Sequence, residues 1–212
     1  EVSAFTYPTC RKQGYFKALF EKAVAGMKKY EIHKILFAHE SCSAGAKHVS
    51  ESYHAEYSFS EYLLTYHPAN FSKIDSKLRL KHVSESFIPE VAALDCKVFD
   101  SDYEESMSMI TKSYQSDTRK PYCAFLNDEL VGTCSINLED GEVCIFGVGI
   151  HPDYQGKGYG KEMMNLLLEQ ILLQEHGAIK IEVNSKNAIA YQLYIKIGFQ
   201  IETQFDYDAY LI

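Results

Sequence analysis

A glycine-rich turn within residues 148–161 (VGIHPDYQGKGYGK) is the part of the sequence with the clearest chemistry. An apolar, strand-like run ends there, Gly156, Gly158 and Gly160 follow, and a helical pattern begins. The first turn of a helix leaves backbone N–H groups without intrahelical partners, and the helix dipole adds partial positive charge. Because glycine has no Cβ, this backbone can approach a ligand closely. The turn therefore predicts an anion site suited to phosphate or pyrophosphate, with a plain glycine-rich helix cap as the alternative.

Two segments then carry a resemblance to a known family. Residues 155–160 (QGKGYG) match the pattern Q/R-x-x-G-x-G/A, and residues 187–199 (NAIAYQLYIKIGF) match N-x-x-A-x-x-L-Y-x-K-x-G-F. Both patterns are signatures of the GNAT-type (GCN5-related) N-acetyltransferases, and they occur here in the family's order. The chain thus resembles that family fully over residues 78–212 and in weakened form over residues 1–66.

The resemblance implies that acetyl-CoA is the acyl donor, used as a cosubstrate without a metal. In the family, the glycine turn holds the pyrophosphate through backbone amides, and the preceding strand end pairs with the pantetheine arm. An amide of that strand end can also polarise the thioester carbonyl. The donor-binding residues that the resemblance implies are Val148, Gly149, Ile150, Gln155, Gly156, Lys157, Gly158, Tyr159, Gly160, Lys161 and Asn187.

Two residues are the expected catalysts. The resemblance places Tyr194 beside the sulfur, where a phenol with a pKa of about 10 can protonate the leaving thiolate. Glu182 is the first candidate for the base that takes the proton of the attacking amine, because some family members place a catalytic Glu in this strand. A solvated or salt-bridged carboxylate is the alternative for Glu182, and Glu142 and His151 are weaker candidates for the base.

The elements that must position these residues alternate between helix and strand. The patterns predict a mixed α/β (α+β) fold, GNAT-like, with a mostly antiparallel sheet flanked by helices. A crossover helix after an antiparallel meander of three strands implies one parallel strand pair. Predicted strands cover residues 78–83, 122–126, 130–137, 143–150 and 178–183, with a final strand pair at 199–212; predicted helices cover 85–99, 103–114, 158–174 and 188–197.

The first part of the chain reads as a partial repeat of the second. Pro8 falls on Pro152, an offset of 144 (152 − 8), and at the same offset Gly14 falls on Gly158. Residues 1–66 then correspond to the C-terminal half of the unit, as strand, helix, strand, short helix and strand pair, residues 67–77 are a linker, and residues 78–212 are a complete catalytic domain. The first copy is degenerate, because Phe16 replaces Gly160 and Ser50 replaces Tyr194. Either a longer parent chain was trimmed before Glu1, or a half-domain serves as a buttress.

Composition narrows the possible partners. The chain has 212 residues and a net charge of −8, with 21 Lys and Arg against 29 Asp and Glu. This balance disfavours nucleic acid or an anionic membrane as a partner, and no run reaches the roughly 18 apolar residues of a membrane span. None of the six cysteines forms a C-x-x-C pair, so a reducing, cytoplasmic location is expected.

Two functions follow from these observations. The first is an N-acetyltransferase that moves an acetyl group to a primary amine, on a small molecule or a peptide, by direct attack in a ternary complex. The alternative is a regulatory protein that binds acetyl-CoA without turnover.

Overall fold

A computed structural model describes residues 4–212. It divides the chain into two compact units. The first comprises residues up to Tyr62 together with Asn184–Lys186 and Thr203–Ile212, and the second comprises Leu63–Val183 and Asn187–Glu202. No helix within residues 4–212 combines the length and the apolar character needed to cross a membrane.

The described residues form fourteen regular elements besides short 3₁₀ turns. The helices are α1 (Tyr15–Lys28), α2 (Ala44–Ser52), α3 (Ile88–Phe99), α4 (Tyr103–Tyr114), α5 (Tyr159–Leu172) and α6 (Ala188–Ile197). The strands are β1 (Lys34–Glu40), β2 (Glu56–Tyr66), β3 (Leu78–His82), β4 (Arg119–Leu126), β5 (Glu129–Glu139), β6 (Glu142–Ile150), β7 (Ile179–Asn184) and β8 (Phe199–Leu211).

The second unit contains the sheet that positions the glycine turn. Its strands follow the order β7-β6-β5-β4-β3. The β3–β4, β4–β5 and β5–β6 pairs are antiparallel, whereas β6 and β7 are parallel and joined by α5. This confirms the predicted meander, its single parallel pair and the mixed α/β fold class. The α5 side chains Met163, Met164, Leu167 and Leu168 have no exposed surface, and they follow the i, i+3/i+4 spacing of an apolar helix face.

Two helix starts show how local sequence sets the boundaries. The helix predicted over residues 85–99 is a 3₁₀ turn at Glu85–Phe87 followed by α3, which has Pro89 in its first turn, where no amide hydrogen bond is needed. Asp102 caps α4, as predicted, by accepting hydrogen bonds from the amides of Glu104 (2.8 Å) and Glu105 (3.2 Å).

The strands at the two ends of the chain differ from the predictions. The expected strand pair at residues 199–212 is one long strand, β8, and the pair expected at the end of residues 1–66 is likewise one strand, β2. Residues 205–211 of β8 pair antiparallel with β1, so β8 finds its partner far away in sequence rather than in a hairpin. The strand predicted at the chain start falls partly on residues 1–3, which lie outside the described residues, and residues 4–7 have no regular structure.

Candidate acetyl-donor site

The site begins where β6 and β7 separate. The parallel pairing covers only residues 143–145 of β6 and 179–181 of β7, although β6 continues to Ile150 and β7 to Asn184. Past this point the facing strand edges carry backbone N–H and C=O groups that can pair with an extended ligand. The predicted residues Val148, Gly149 and Ile150 all lie in the part of β6 that does not pair with β7.

A β-bulge lies in the same part of β6. Thr133 is opposite Gly149 and Ser135 is opposite Phe146, so Gly147 and Val148 together face the single residue Cys134. Gly147 has a φ of 59°, a left-handed conformation that glycine adopts without steric cost. Bulges of this kind redirect a strand and are frequent beside active sites.

The glycine turn that follows is ordered by its own polar contacts. The His151 side chain accepts a hydrogen bond from the amide of Asp153 (3.2 Å), and the Gln155 side-chain amide donates to the carbonyl of Ile150 (2.9 Å). The Lys157 ammonium donates to the Asp153 carbonyl (2.8 Å) and lies 5.2 Å from the centre of the Tyr154 ring. Three of the side chains considered from sequence, those of His151, Gln155 and Lys157, therefore hold the turn in shape.

The backbone of this turn presents donors to the surroundings. Gly156 and Gly158 have φ values of 73° and 88°. No described atom outside the adjacent residues lies within 4 Å of the position that a Cβ would take at either glycine. Among residues 4–212, no acceptor pairs with the backbone amides of residues 156–160. Open donors at the N-terminal end of a helix of fourteen residues are the arrangement that binds phosphate groups.

Gly160 is also closely packed against neighbouring elements. A Cβ at this position would lie 3.3 Å from Cδ2 of Leu193 and 3.9 Å from Cγ1 of Ile150. The missing side chain therefore lets α5 pack closely on α6 and on the end of β6. Close helix packing is thus one reason for glycine at this position, and its contact with the donor stays a prediction.

The second signature contributes Asn187, the N-cap of α6, and Tyr194 within the helix. The Asn187 side-chain oxygen caps the helix by accepting a hydrogen bond from the amide of Ala190 (3.1 Å). Tyr194 is only 5% exposed, and its ring centre lies 6.0 Å from that of Phe199. Burial, with a smaller contribution from Cys134, raises the pKa of Tyr194 to about 12. The phenol is therefore fully protonated near neutral pH.

The candidate bases differ in how far their side chains are already engaged. Glu182 is exposed, and among the described residues its carboxylate has no hydrogen bond or ion pair. Glu142 instead forms an ion pair with Lys180 (2.9 Å), whose ammonium lies 3.7 Å from Glu202. His151 already accepts a hydrogen bond at Nδ1, and its Nε2 lies 3.3 Å from the Lys97 ammonium. Glu182 is therefore the most available of the three.

Sequence reasoning missed the contribution of α3. A Cβ on Gly149 would lie 2.3 Å from Cγ1 of Val98 and 3.0 Å from Cζ of Phe99. The end of α3 thus packs directly against the backbone of β6 inside the donor site. A glycine in the middle of an apolar strand run was the available signal, because such a residue often marks close approach of other atoms.

The segment expected to be a linker is attached to α5. Asn165, a largely buried residue of α5, donates to the carbonyl of Ser72 (2.9 Å) and accepts from the amide of Ile74 (3.2 Å). Glu162 accepts from the Lys77 amide at 2.7 Å. Residues 72–77 therefore run along α5, the helix whose N-terminus is the candidate anion site.

Comparisons with known proteins agree with this geometry. Residues 88–199, more than half of the chain, match the model of the acetyltransferase (GNAT) family. The ribosomal protein bS18-alanine N-acetyltransferase of Escherichia coli K12 is 31% identical over 95 residues, which are 43% of this chain and 64% of that protein. The Haemophilus ducreyi enzyme of the same name is 31% identical over 58 residues, 27% of this chain and 40% of that protein. The chain thus spans less than two thirds of the length of these relatives.

Solved structures show the same fold at low sequence identity. A GCN5-related N-acetyltransferase from Sphaerobacter thermophilus superposes with a TM-score of 0.80 at 13% identity, covering 97% of this chain and 70% of that one. A tandem GNAT protein from the clavulanic acid biosynthesis pathway gives 0.75 at 14% identity, covering 98% and 73%. Together with the family match over residues 88–199, the chain therefore belongs to the GNAT acetyltransferase family.

Proposed function

We propose that this protein is an N-acetyltransferase that transfers the acetyl group of acetyl-CoA directly to a primary amine. The proposal rests on two features that follow each other along the chain. β6 separates from β7 after residue 145, and the backbone amides of residues 156–160 have no acceptor among residues 4–212. An extended thiol arm fits the unpaired edge of β6, and the pyrophosphate at its end fits the helix N-terminus. Acetyl-CoA supplies the thioester.

The described residues support a direct transfer in a ternary complex. Glu182, exposed and unpaired among the described residues, takes the proton from the attacking ammonium, and the neutral amine nitrogen bonds to the thioester carbonyl carbon. The carbon–sulfur bond then breaks, and the buried phenol of Tyr194 donates its proton to the thiolate. The nitrogen of the new amide releases its remaining extra proton to solvent, and the Tyr194 phenolate takes up a proton in its place. Backbone amides of the bulged strand end at residues 147–150 stabilise the oxyanion that forms between these steps.

The acceptor is proposed as a primary amine on a peptide or a small molecule. A peptide amine is supported by the bS18-alanine N-acetyltransferases, which are 31% identical over part of the chain. A peptide with N-terminal alanine therefore belongs in the acceptor panel beside polyamines, amino acids and aminoglycosides.

Residues 1–66 are proposed to be a degenerate copy of the C-terminal half of the fold. Helices α1 and α5 both have fourteen residues, and each follows a 3₁₀ turn that begins with Pro and a glycine in the left-handed conformation (Gly14 at 84°, Gly158 at 88°). Phe16, which matches Gly160 at the offset of 144 (160 − 16), instead stacks on Phe20 with ring centres 5.8 Å apart. The boundary proposed at residues 66 and 78 lies close to the division at Tyr62, while residues 203–212 cluster with the first unit.

The test is thiol release over the amine panel, with acetyl-CoA affinity measured separately by calorimetry. Tyr194→Phe should lower turnover by about 10²–10⁴-fold, the usual contribution of a general acid, and leave donor affinity within a few fold. Glu182→Gln should lower kcat and leave donor affinity within a few fold, because the amide cannot take the proton of the attacking amine. Donor binding without release above hydrolysis for any amine would instead support the regulatory alternative.

A further inference from the structure

Strand β1 lies at an edge of the sheet in the first unit. Among residues 4–212 its only strand partner is β8, and the pairing runs without a bulge from Lys34 to Glu40. Natural proteins protect edge strands from further pairing with a proline, a bulge or charged side chains within the strand. The residues between Lys34 and Glu40 (ILFAH) include no proline, bulge, Lys, Arg, Asp or Glu. This edge can therefore accept another strand.

Hydrogen bonds next to the two ends of β1 show which backbone groups face outward. The carbonyl of His33 accepts from the amide of Ile212 (3.0 Å), and the amide of Ser41 donates to the carbonyl of Gln204 (2.9 Å). In an antiparallel pair, every second residue directs both its N–H and its C=O to the partner strand. The odd-numbered residues of β1 therefore bond to β8, and the even-numbered residues from 34 to 40 direct their backbone groups away from it.

The side chains of the even-numbered residues share one face of β1. Ile35, Phe37 and His39 are buried on the other face, where the Phe37 ring packs on Phe20 of α1 with ring centres 5.1 Å apart. Because side chains alternate between the faces of a strand, the even-numbered residues lie opposite to α1. All of them are half-buried or exposed, and the two charged ones, at the ends of the strand, are exposed.

We propose that β1 is a dimer interface, at which it pairs antiparallel with β1 of a second copy of this chain about a two-fold axis at Phe37. In this register Lys34 lies opposite the partner's Glu40, and Leu36 lies opposite the partner's Ala38. Each of these pairs joins two even-numbered residues, so each exchanges two backbone hydrogen bonds. The two-fold axis makes both pairs occur twice.

Charge favours this register and a second copy as the occupant of the edge. Opposite charges at directly opposed positions stabilise a strand pair, whereas like charges destabilise it, and Lys34 faces Glu40 at both ends of the interface. The smallest shift that keeps even-numbered residues opposed is two residues. It would move Lys34 opposite Ala38 and Glu40 opposite Ile32, which lies outside the strand. A two-fold contact also closes after two copies and uses up both edges.

The test measures the oligomeric state by analytical ultracentrifugation over a range of protein concentrations. The wild type should form a dimer, and Lys34→Glu should raise its dissociation constant by about tenfold or more, because carboxylates then oppose each other at both ends of the interface. The double variant Lys34→Glu/Glu40→Lys restores opposite charges and should restore dimerisation. Lys47→Glu, at an exposed position of α2, makes the same change in net charge and should leave the dissociation constant unchanged.

Hydrogen–deuterium exchange gives a second readout. The amides of Leu36 and Ala38 point away from β8, so they should exchange slowly in the dimer and quickly after dilution or in Lys34→Glu. A wild type that stays monomeric at every concentration, or that forms species larger than a dimer, would overturn the proposal. An unchanged dissociation constant in Lys34→Glu, an equal rise in Lys47→Glu, or no recovery in the double variant would also overturn it.

Discussion

Replacement of Gly149 by alanine is the most direct test of how α3 shapes the donor site. The new Cβ would lie 2.3 Å from Cγ1 of Val98 and 3.0 Å from Cζ of Phe99. Carbon atoms pack best at about 3.5–4.0 Å, so the first contact alone requires a movement of about 1.2 Å or more. Overpacking of this kind costs about 1–3 kcal/mol of the free energy of unfolding. For a chain of this size, each kcal/mol lowers the melting temperature by about 2–4 °C.

The assay is a double-mutant cycle in denaturant unfolding, with acetyl-CoA affinity measured on the same variants. Val98→Ala removes the clashing methyl group, so the double variant should be more stable than the sum of the single effects by about 1 kcal/mol or more. Gly26→Ala is the matched control. Gly26 lies within α1 with no atom within 4 Å of its Cβ position, and alanine should stabilise the helix there by about 0.5–1 kcal/mol.

Either of two results would refute this reasoning. The first is a Gly149→Ala variant as stable as the wild type, which would mean that α3 does not press on β6. The second is additive behaviour of the two substitutions, which would mean that Val98 is not the obstructing group. We also expect Gly149→Ala to weaken acetyl-CoA binding, because the displaced strand end is the proposed contact of the donor arm.

Three further predictions follow from the structure. Burial alone lowers the pKa of His39, but its hydrogen bonds to Asp208 (3.0 Å) and to a backbone carbonyl raise it overall. The stabilisation is therefore complete below about pH 6.5 and is lost as the pH rises through the raised pKa. The difference in melting temperature between wild type and His39→Gln should therefore shrink as the pH rises. Iodoacetamide on the native protein should modify the exposed Cys42 and spare Cys134, whose pKa burial raises, until the protein unfolds; equal rates, followed by mass spectrometry, would contradict this. Asn165→Leu should cost about 1–3 kcal/mol in urea unfolding and expose residues 72–77 to proteases, because two backbone bonds are lost; unchanged proteolysis would show that the segment is held by other contacts.

Much of the second unit is predictable from local pattern. Helices α4 and α6 have the predicted bounds, because a side-chain cap begins each of them and, for α6, Gly198 in the left-handed conformation ends it. The strands of the meander extend one to three residues beyond the predicted ends. The glycine turn is predictable for the same reason, since positive φ values at Gly156 and Gly158 are properties of a few adjacent residues.

The roles of single residues in the site are harder to predict. Gly160 and Gly149 are both expected to contact the donor, and the structure adds that a Cβ at Gly160 would meet Leu193 and a Cβ at Gly149 would meet Val98. Glu142 and Glu182 are both candidate bases from sequence, and of the two only Glu142 has Lys180 as an ion-pair partner. Each of these differences depends on a side chain from another element, which no local pattern identifies.

Local sequence is enough to predict the family resemblance, a candidate anion site and the alternation of helices and strands, because these depend on propensities and spacings within about 15 residues. Strand pairing, in contrast, is visible only in the tertiary structure. The tertiary structure makes β8 one strand paired with β1 across more than half of the chain, and it attaches Ser185 to Ser60. Such contacts form between segments that are distant in sequence. The local pattern of residues 199–211 is therefore compatible with either a hairpin or one long strand, and the pairing with β1 and β2 selects the long strand.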